Sequence, residues 1–584
     1  MAEILNRNNL TTRLFALFAA LLAGVVASAS LAAMPATPRA PSGSSAVIVR
    51  GEAGALAQLE RSTVLAGGTV IRELAIINGF SAKIPGARLA AIRALPGVVA
   101  VSPDSLTIFH SDYDPSADPH SLASTAQAVG ANAAWSQGIT GAGVDVAVLD
   151  SGVTPVNGLA GAGKVINGPD LSFDSQTPTV RYLDGFGHGT FMAGLIAGKD
   201  AGADVNHPGD AYVGIAPDAR IVNVKVGAAN GAVDVSQVIA GIDWVVQHRH
   251  DNGMNIRVLN LSLGTHSSQD YRVDPLAFAA EVAWRAGIVV VAAAGNDGAA
   301  ATRLDDPAID PFLIAVGAAG SHGRQTADNS FVAPFSSIGN SQRGPDLVAP
   351  GTHLQGLRVP GSYIDQRYRA AAFDGRFFRG SGTSEAAAIT SGTVALLLQQ
   401  EPSLKPSQVK ALLMHAALPL ADNEDDAAGS GLLQVATGDL SSILDESLSG
   451  QHFRSRISPS IGTGSLEQAR GDSHVSLGGV ALTGEKDIFG HEYSSTEVAL
   501  LTAFQRSWSG GNWNGTTWTG TTWSGTTWSG TTWSGTTWSG TTWSGTTWSG
   551  TTWTGTTWSG TTWSGTTWTG TTWTGDIWNT FSWS

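Results

Sequence analysis

The chain has 584 residues, with 33 Lys and Arg against 47 Asp and Glu and a formal net charge of −14. That length exceeds one compact domain, and the acidic balance argues against nucleic acid or an anionic membrane surface as the main partner. There is no cysteine, so disulfides, thiolate metal sites and a thiol nucleophile are excluded as well.

Residues 1–33 read as an export signal. Arg7 and Arg13 precede an apolar run over 14–26, and Ala27-Ser28-Ala29 offers a small-residue cleavage site. Thirteen apolar residues are too few to span a bilayer comfortably. The expectation is a secreted or cell-surface bacterial protein. Residues 34–44, rich in Pro, Ala and Ser, form a spacer. Residues 45–110 hold a small α+β unit: a strand at 46–49, a helix at 53–60, a strand pair at 76–84, a helix at 87–94 and a closing strand at 98–101. On pattern alone it is a ferredoxin-like domain. A polar linker follows at 111–123. No Lys or Arg occurs between Arg93 and Lys164, so a cut in this linker would have to follow a non-basic residue, with Phe109 and His110 the candidates.

From 124 to 440 short apolar, β-branched runs alternate with helical segments. Strands are expected at 144–149, 221–226, 258–263, 288–293 and 313–316, and helices at 188–197, 235–248, 274–285 and 384–399. Near-continuous apolar strands alternating with helices predict an α/β fold, with a mostly parallel sheet covered on both faces. Ligands of such sheets bind beyond the carboxyl ends of the strands. Asp150 stands there, after Val146-Ala147-Val148-Leu149; Asn296 follows a second buried run, and His188 opens a helix from a Gly-rich turn. Ser384 lies in Gly380-Ser381-Gly382-Thr383-Ser384-Glu385, at a helix start whose free N–H groups and dipole suit developing negative charge. Each alone has a bland reading as a turn or cap residue.

In chain order "VAVLDSGV", "GHGT", "VVAAAGN" and "GTSEAAA" resemble the four signature segments of the subtilisin-like serine proteases (subtilases, peptidase family S8). "GIAPDARIVNVKV", "NLSLG" and "DLVAPGT" are similar too, and "NGFSAKI" with "LPGVVAVSPD" resembles the family's inhibitory propeptide. The resemblance implies a three-layer subtilisin-like fold over 124–440 and a secreted endopeptidase made as a zymogen with its own propeptide as intramolecular inhibitor. Its substrates would be proteins or peptides. It assigns Asp150, His188 and Ser384 as the triad and Asn296 as oxyanion donor. The chain departs from the family pattern at Phe191, Glu385 and Ala388, none of them triad positions; Glu385 is expected to be a solvated helix-start carboxylate.

Ser262-Leu263-Gly264 and Ala293-Ala294-Gly295 resemble the walls of the family's main specificity pocket, small and apolar, and imply preference for a large apolar side chain before the cut. Asp305 or Asp306 at the pocket base would favour Lys or Arg instead; the linker without basic residues argues the other way, and apolar preference is the expectation. No cofactor is needed for the chemistry. The family's structural calcium is possible, with Asp170, Asp174, Asp184 and Asp204 available, but no ligand spacing singles them out.

Residues 441–506 are mixed in composition, with short strands expected near 475–482 and 488–489. From Trp508 to Trp583 a Trp falls at every fifth position, mostly as Thr-Thr-Trp-Ser-Gly, so 507–584 reads as a repeat tail. The period of five fits a pentapeptide solenoid or a disordered array, and regularly spaced aromatics suit cell-wall or polysaccharide contact. In a competing reading the repeats do the work and the peptidase fold is a scaffold; the intact set of four site residues argues against it.

Overall fold

The computed structural model describes residues 44–103 and 113–517, apart from 116, 178, 323–325, 421–426, 437–439, 441–456, 478–479 and 510. The expected signal, the spacer up to residue 43, the cut sites and the repeats beyond 517 lie outside the described residues. The chain divides into two compact units, residues 1–111 and 112–584.

In the first unit, strands β1 (Ser44–Gly51), β2 (Thr69–Leu74), β3 (Gly79–Pro85) and β4 (Val98–Pro103) form an antiparallel sheet in the order β2-β3-β1-β4. Helices Leu56–Leu65 and Leu89–Arg93 follow β1 and β3, which makes the ferredoxin-like β-α-β-β-α-β succession. Period-two alternation puts Val47, Val49, Phe80, Ala82 and Ile84 on one face, where they meet Leu59 and Ile92 of the helices. The strand pair expected over 76–84 is β2 and β3. Its first member lies earlier than expected, because a 3-10 turn over Ala75–Ile77 and Asn78 at φ 48° separate the two.

The second unit is built on an eight-stranded sheet of β5 (Asp145–Asp150), β6 (Val165–Asp170), β7 (Arg220–Lys225), β8 (Ile256–Leu261), β9 (Val289–Ala293), β10 (Ile314–Ser321), β11 (Ser330–Val332) and β12 (Leu347–Pro350). The order is β11-β10-β9-β8-β5-β7-β6, with β12 also on β10; every pairing is parallel except β10 with β11. All residues of β5 and β9 are buried, as expected of a parallel sheet covered on both faces. Helix Thr383–Gln400 is buried at every position over 385–398. It runs through the core as a helix apolar on all sides over most of its length does, with the hydroxyls of Thr390, Ser391 and Thr393 donating to Ala386 O at 2.9 Å, Asn260 Oδ1 at 2.9 Å and Ile389 O at 3.1 Å. Helices His188–Ala197, Val235–His248 and Pro275–Arg285 fall where periodicity predicts, the last two capped by Asp234 and Asp274. Among the described residues no helix is long and apolar enough to cross a membrane.

The main domain does not stop at Leu440. Leu466, Ala469, Tyr493, Val498, Ala499 and Trp513 join the core that the sheet and its helices build. Arg470, fully buried, donates from Nε to Asp234 Oδ2 at 2.7 Å, reaching the residue that caps helix Val235–His248. Strands Ser476–Leu477 and Val480–Ala481 occur as expected; Ile488 and Phe489 lie in a turn, and helix Ser495–Ala503 carried no clear signal. The first two repeats also belong to this body. Trp508 pairs across strands with Trp513, and the Asn514-Gly515 turn, at φ 47° and 78°, returns the chain so that Trp513 pairs with Thr516. Trp513 is 1% exposed and its indole donates to Asp243 Oδ2 at 2.8 Å.

Candidate active site

The site lies at the carboxyl ends of β5, β8 and β9 and at the start of helix Thr383–Gln400. β5 ends on Asp150, whose Oδ1 accepts from Ser151 N at 2.7 Å. Both Asp150 oxygens lie 2.9 Å from His188 Nδ1. His188 is the first residue of its helix, held there by Asp184: Oδ1 accepts from Gly187 N at 2.6 Å and Oδ2 from Thr190 N at 2.8 Å. Ser151 Oγ donates to the same Asp184 at 2.8 Å and accepts from Gly189 N at 3.0 Å. Asp184 and Ser151 therefore lock the Asp150 turn to the His188 helix. Sequence reading placed Asp184 only among possible calcium ligands; its position three residues before Gly187, the spacing of an Asx cap, was the available signal.

Burial alone would depress the His188 pKa. The charge and hydrogen bond of Asp150, with further help from the charges of Glu385 and Asp184, overcome that and hold it at about 9. An imidazole so placed has Nδ1 committed to the carboxylate and Nε2 free for proton transfer.

Ser384 is the second residue of its helix. Its Oγ donates to Ser262 O at 3.0 Å, while Ser262 Oγ donates to Ser384 O at 2.9 Å. The Ser384 hydroxyl is thus tied to the end of β8. Asn296 follows β9 and is exposed; its Oδ1 accepts from Thr383 N at 2.9 Å and Thr383 Oγ1 at 3.2 Å. That engages the carboxamide oxygen with Thr383, so the Asn296 side chain is held at the start of the Ser384 helix.

Glu385 corrects one expectation. It is 6% exposed rather than solvated, and it lines a cleft together with His188, Phe191, Leu357, Ile364 and Phe378. Burial pushes its carboxyl above the usual range, and the His188 charge pulls it partly back. Phe191 fills an interior position there, and Ala388 is fully buried in the central helix.

The expected pocket walls, Ser262-Leu263-Gly264 and Ala293-Ala294-Gly295, extend from the neighbouring strands β8 and β9. Asp305 lies between them. A Cβ on Gly264 would stand 2.6 Å from Asp305 Cβ, and one on Gly295 would stand 2.7 Å from Asp305 Cγ. Asp306 is buried away from solvent with its charge set against Asp274.

The four carboxylates considered for calcium do not form one cage. Asp170 accepts from Ser172 and Tyr182 N, Asp174 pairs with buried Lys225 at 2.7 Å, Asp184 holds the His188 helix, and Asp204 is exposed beside His207. Among the described residues, three metal-type ligand groups converge only at His266, Asp297 and Asp305, within 4.8 Å of one another.

The model of the Subtilase family (Peptidase_S8) matches residues 141–437. Serine protease AprX of Bacillus subtilis is 36% identical over 305 residues, 51% of this chain and 66% of AprX. Minor extracellular protease Epr of the same organism is 32% identical over 52% of this chain and 39% of Epr. Subtilisin NAT of Bacillus subtilis subsp. natto is 30% identical over 376 residues, 63% of this chain and 82% of that protein. The aligned region thus spans just under two thirds of AprX and well under half of Epr. With the family model covering half of its length and all four site segments falling inside the matched span, the chain belongs to the subtilase family.

Proposed function

We propose that this chain is a secreted serine endopeptidase acting through Asp150, His188 and Ser384. The observation that carries the reading is the His188 imidazole, its Nδ1 2.9 Å from both oxygens of Asp150. Ser384 Oγ attacks the scissile carbonyl carbon as His188 Nε2 takes the hydroxyl proton. Asp150 holds the imidazole in the tautomer that accepts at Nε2 and stabilises the imidazolium. The carbonyl oxygen, now an anion, receives hydrogen bonds from the Asn296 NH2 and the Ser384 N–H. Collapse of the intermediate breaks the C–N bond, and His188 returns the proton to the leaving amine. Water then attacks the acyl-enzyme with His188 again as base, releasing the acid and regenerating Ser384.

In this reading the 44–103 unit acts as an inhibitory propeptide, residues 1–33 direct export, and the repeats after Thr517 contact the cell wall or a polysaccharide. Structural calcium remains compatible with the family but is required by no step. The deciding experiment is labelling with a fluorophosphonate probe, which reacts only with an activated serine. We expect label on the matured protein and none on Ser384→Ala. A wild-type protein that takes up no Ser384-dependent label refutes the enzyme.

A further inference from the structure

Asp305 is a carboxylate with no evident task inside the protein. It is 16% exposed and accepts no hydrogen bond among the described residues. His266 Nε2 lies 3.8 Å from it but is closer to Asp297, at 2.8 Å, while His266 Nδ1 faces Asp472 at 3.1 Å. Three carboxylates therefore share one imidazole, and the group keeps excess negative charge even with His266 protonated. A largely buried carboxylate without donors is costly, and a cation brought to it removes that cost.

Its placement says which cation. Ser384 Oγ and Ser262 O are in hydrogen-bond contact, and Thr383 Oγ1 bonds Gly295 O at 3.3 Å, so the β8 and β9 extensions flank the nucleophile on both sides. A carbonyl attacked by Ser384, with its oxygen toward Asn296, sends the side chain of the same residue between those extensions. The floor of that slot is Asp305, in contact range of both Gly264 and Gly295. A large apolar side chain would have to desolvate this carboxylate without compensation; an ammonium or guanidinium on a three- or four-carbon stem would pair with it.

Resting on the peptidase reading above, we propose that Asp305 makes this chain select Lys or Arg at the residue immediately before the cleaved bond. Asp305 is then a specificity-determining residue that touches substrate. The linker between Arg93 and Lys164 lacks both residues, so a maturation cut there would proceed through the high effective concentration of a tethered segment rather than through this preference.

The test is a matched set of fluorogenic peptides differing only in the residue before the bond, Lys, Arg, Phe or Leu. For wild type, kcat/KM for Lys and Arg should exceed that for Phe by roughly 10- to 100-fold, the range that a hydrogen bond to a charged group supplies. Asp305→Asn and Asp305→Ser should erase most of that ratio while still cleaving the Phe peptide. Benzamidine, an arginine-like cation, should bind Ser384→Ala in calorimetry and lose at least tenfold in affinity in Ser384→Ala,Asp305→Asn. A wild-type enzyme that prefers Phe, or variants with an unchanged Lys-to-Phe ratio, overturns the assignment while leaving the peptidase standing. A Lys preference that vanishes with EDTA and returns with calcium also overturns it, by giving Asp305 to a metal. Absence of both hydrolysis and fluorophosphonate label would mean the peptidase reading itself had failed.

Discussion

Arg470 offers the sharpest test of the conclusion that residues 457–517 are part of the peptidase body. Its guanidinium donates to Asp234 at 2.7 and 3.4 Å, to Glu467 Oε2 at 3.1 Å and to Gly484 O at 2.7 Å. Arg470→Met keeps length and apolar bulk but removes the donor to Asp234 Oδ2 and to the Gly484 and Lys486 carbonyls, while Asp234 Oδ1 keeps Ser236 N. Removing one partner of a buried pair costs about 3–5 kcal/mol. For a body of roughly 400 residues, an unfolding entropy of ~2.1 cal/mol/K per residue converts that into a Tm about 4–6 °C lower. The measurement is thermal unfolding followed by circular dichroism, with Ser384→Ala as the background to prevent self-digestion. Pairing Arg470→Met with Asp234→Asn removes the stranded charge and should recover part of the loss. At 25 °C the active enzyme carrying Arg470→Met should keep its kcat. A loss below about 1 kcal/mol would mean that 457–517 merely decorates the domain, and the reasoning from burial would fail.

With His188 held at about 9, the neutral base accumulates only in alkaline solution, so kcat/KM should rise with pH up to about 9 and at pH 7 reach only about a hundredth of its plateau. Glu385→Gln removes one of the charges that raise His188; its acid limb should move to lower pH and kcat/KM at pH 7 should rise several-fold, whereas an unmoved limb would mean the cleft carboxylate does not reach the base. Asn296→Ala should leave KM nearly unchanged and lower kcat by about 10²–10³, a size known from subtilisin itself rather than worked out on this chain; an unchanged kcat removes Asn296 from the oxyanion site. Burial raises the Asp243 carboxyl to about 7 against the donors Trp513 and Thr502. The folded chain therefore keeps a proton that the unfolded chain releases between about pH 4 and 7, and this group's contribution to stability falls as pH rises through that window. Asp243→Asn should flatten that fall between pH 5 and 8, read as the difference in urea midpoints; an unaltered difference excludes Asp243 as its source.

Asp150, His188, Asn296 and Ser384 were legible because each sits in a short contiguous signal, a strand end or a helix start bounded by glycine. Helix Val235–His248 was legible from its apolar face at helical period, and His188–Ala197 from an almost uninterrupted run of apolar and small residues after the Gly-rich turn. The strands β6 and β12 were not: "VINGPD" and "LVAP" carry Gly and Pro that disguise a strand, and both are held by long-range parallel pairing. Asp184 and Arg470 were illegible as structural anchors for a related reason, whereas Asp305 was named at the pocket base but not told apart from Asp306. A carboxylate holding the start of a helix from outside it, or a guanidinium reaching Asp234 across 236 positions, acquires its role only once distant segments meet. Glu385 shows the converse error, since its place in a first helical turn favours solvent, while here that turn lies inside the core.

Trp508 and Trp513 impose a division on the repeat array. The Trp508 indole donates to Ala240 O at 2.8 Å and the Trp513 indole to Asp243, so the first two tryptophans are wedged against helix Val235–His248. A protease that trims the tail has to cut beyond Thr517 to leave this wedge intact, and any mature form with a stable catalytic body must carry a stub of the array. Loss of the first two repeats would open the domain at helix Val235–His248. The array therefore has a floor on its length, set by the folding of the body to which it is attached.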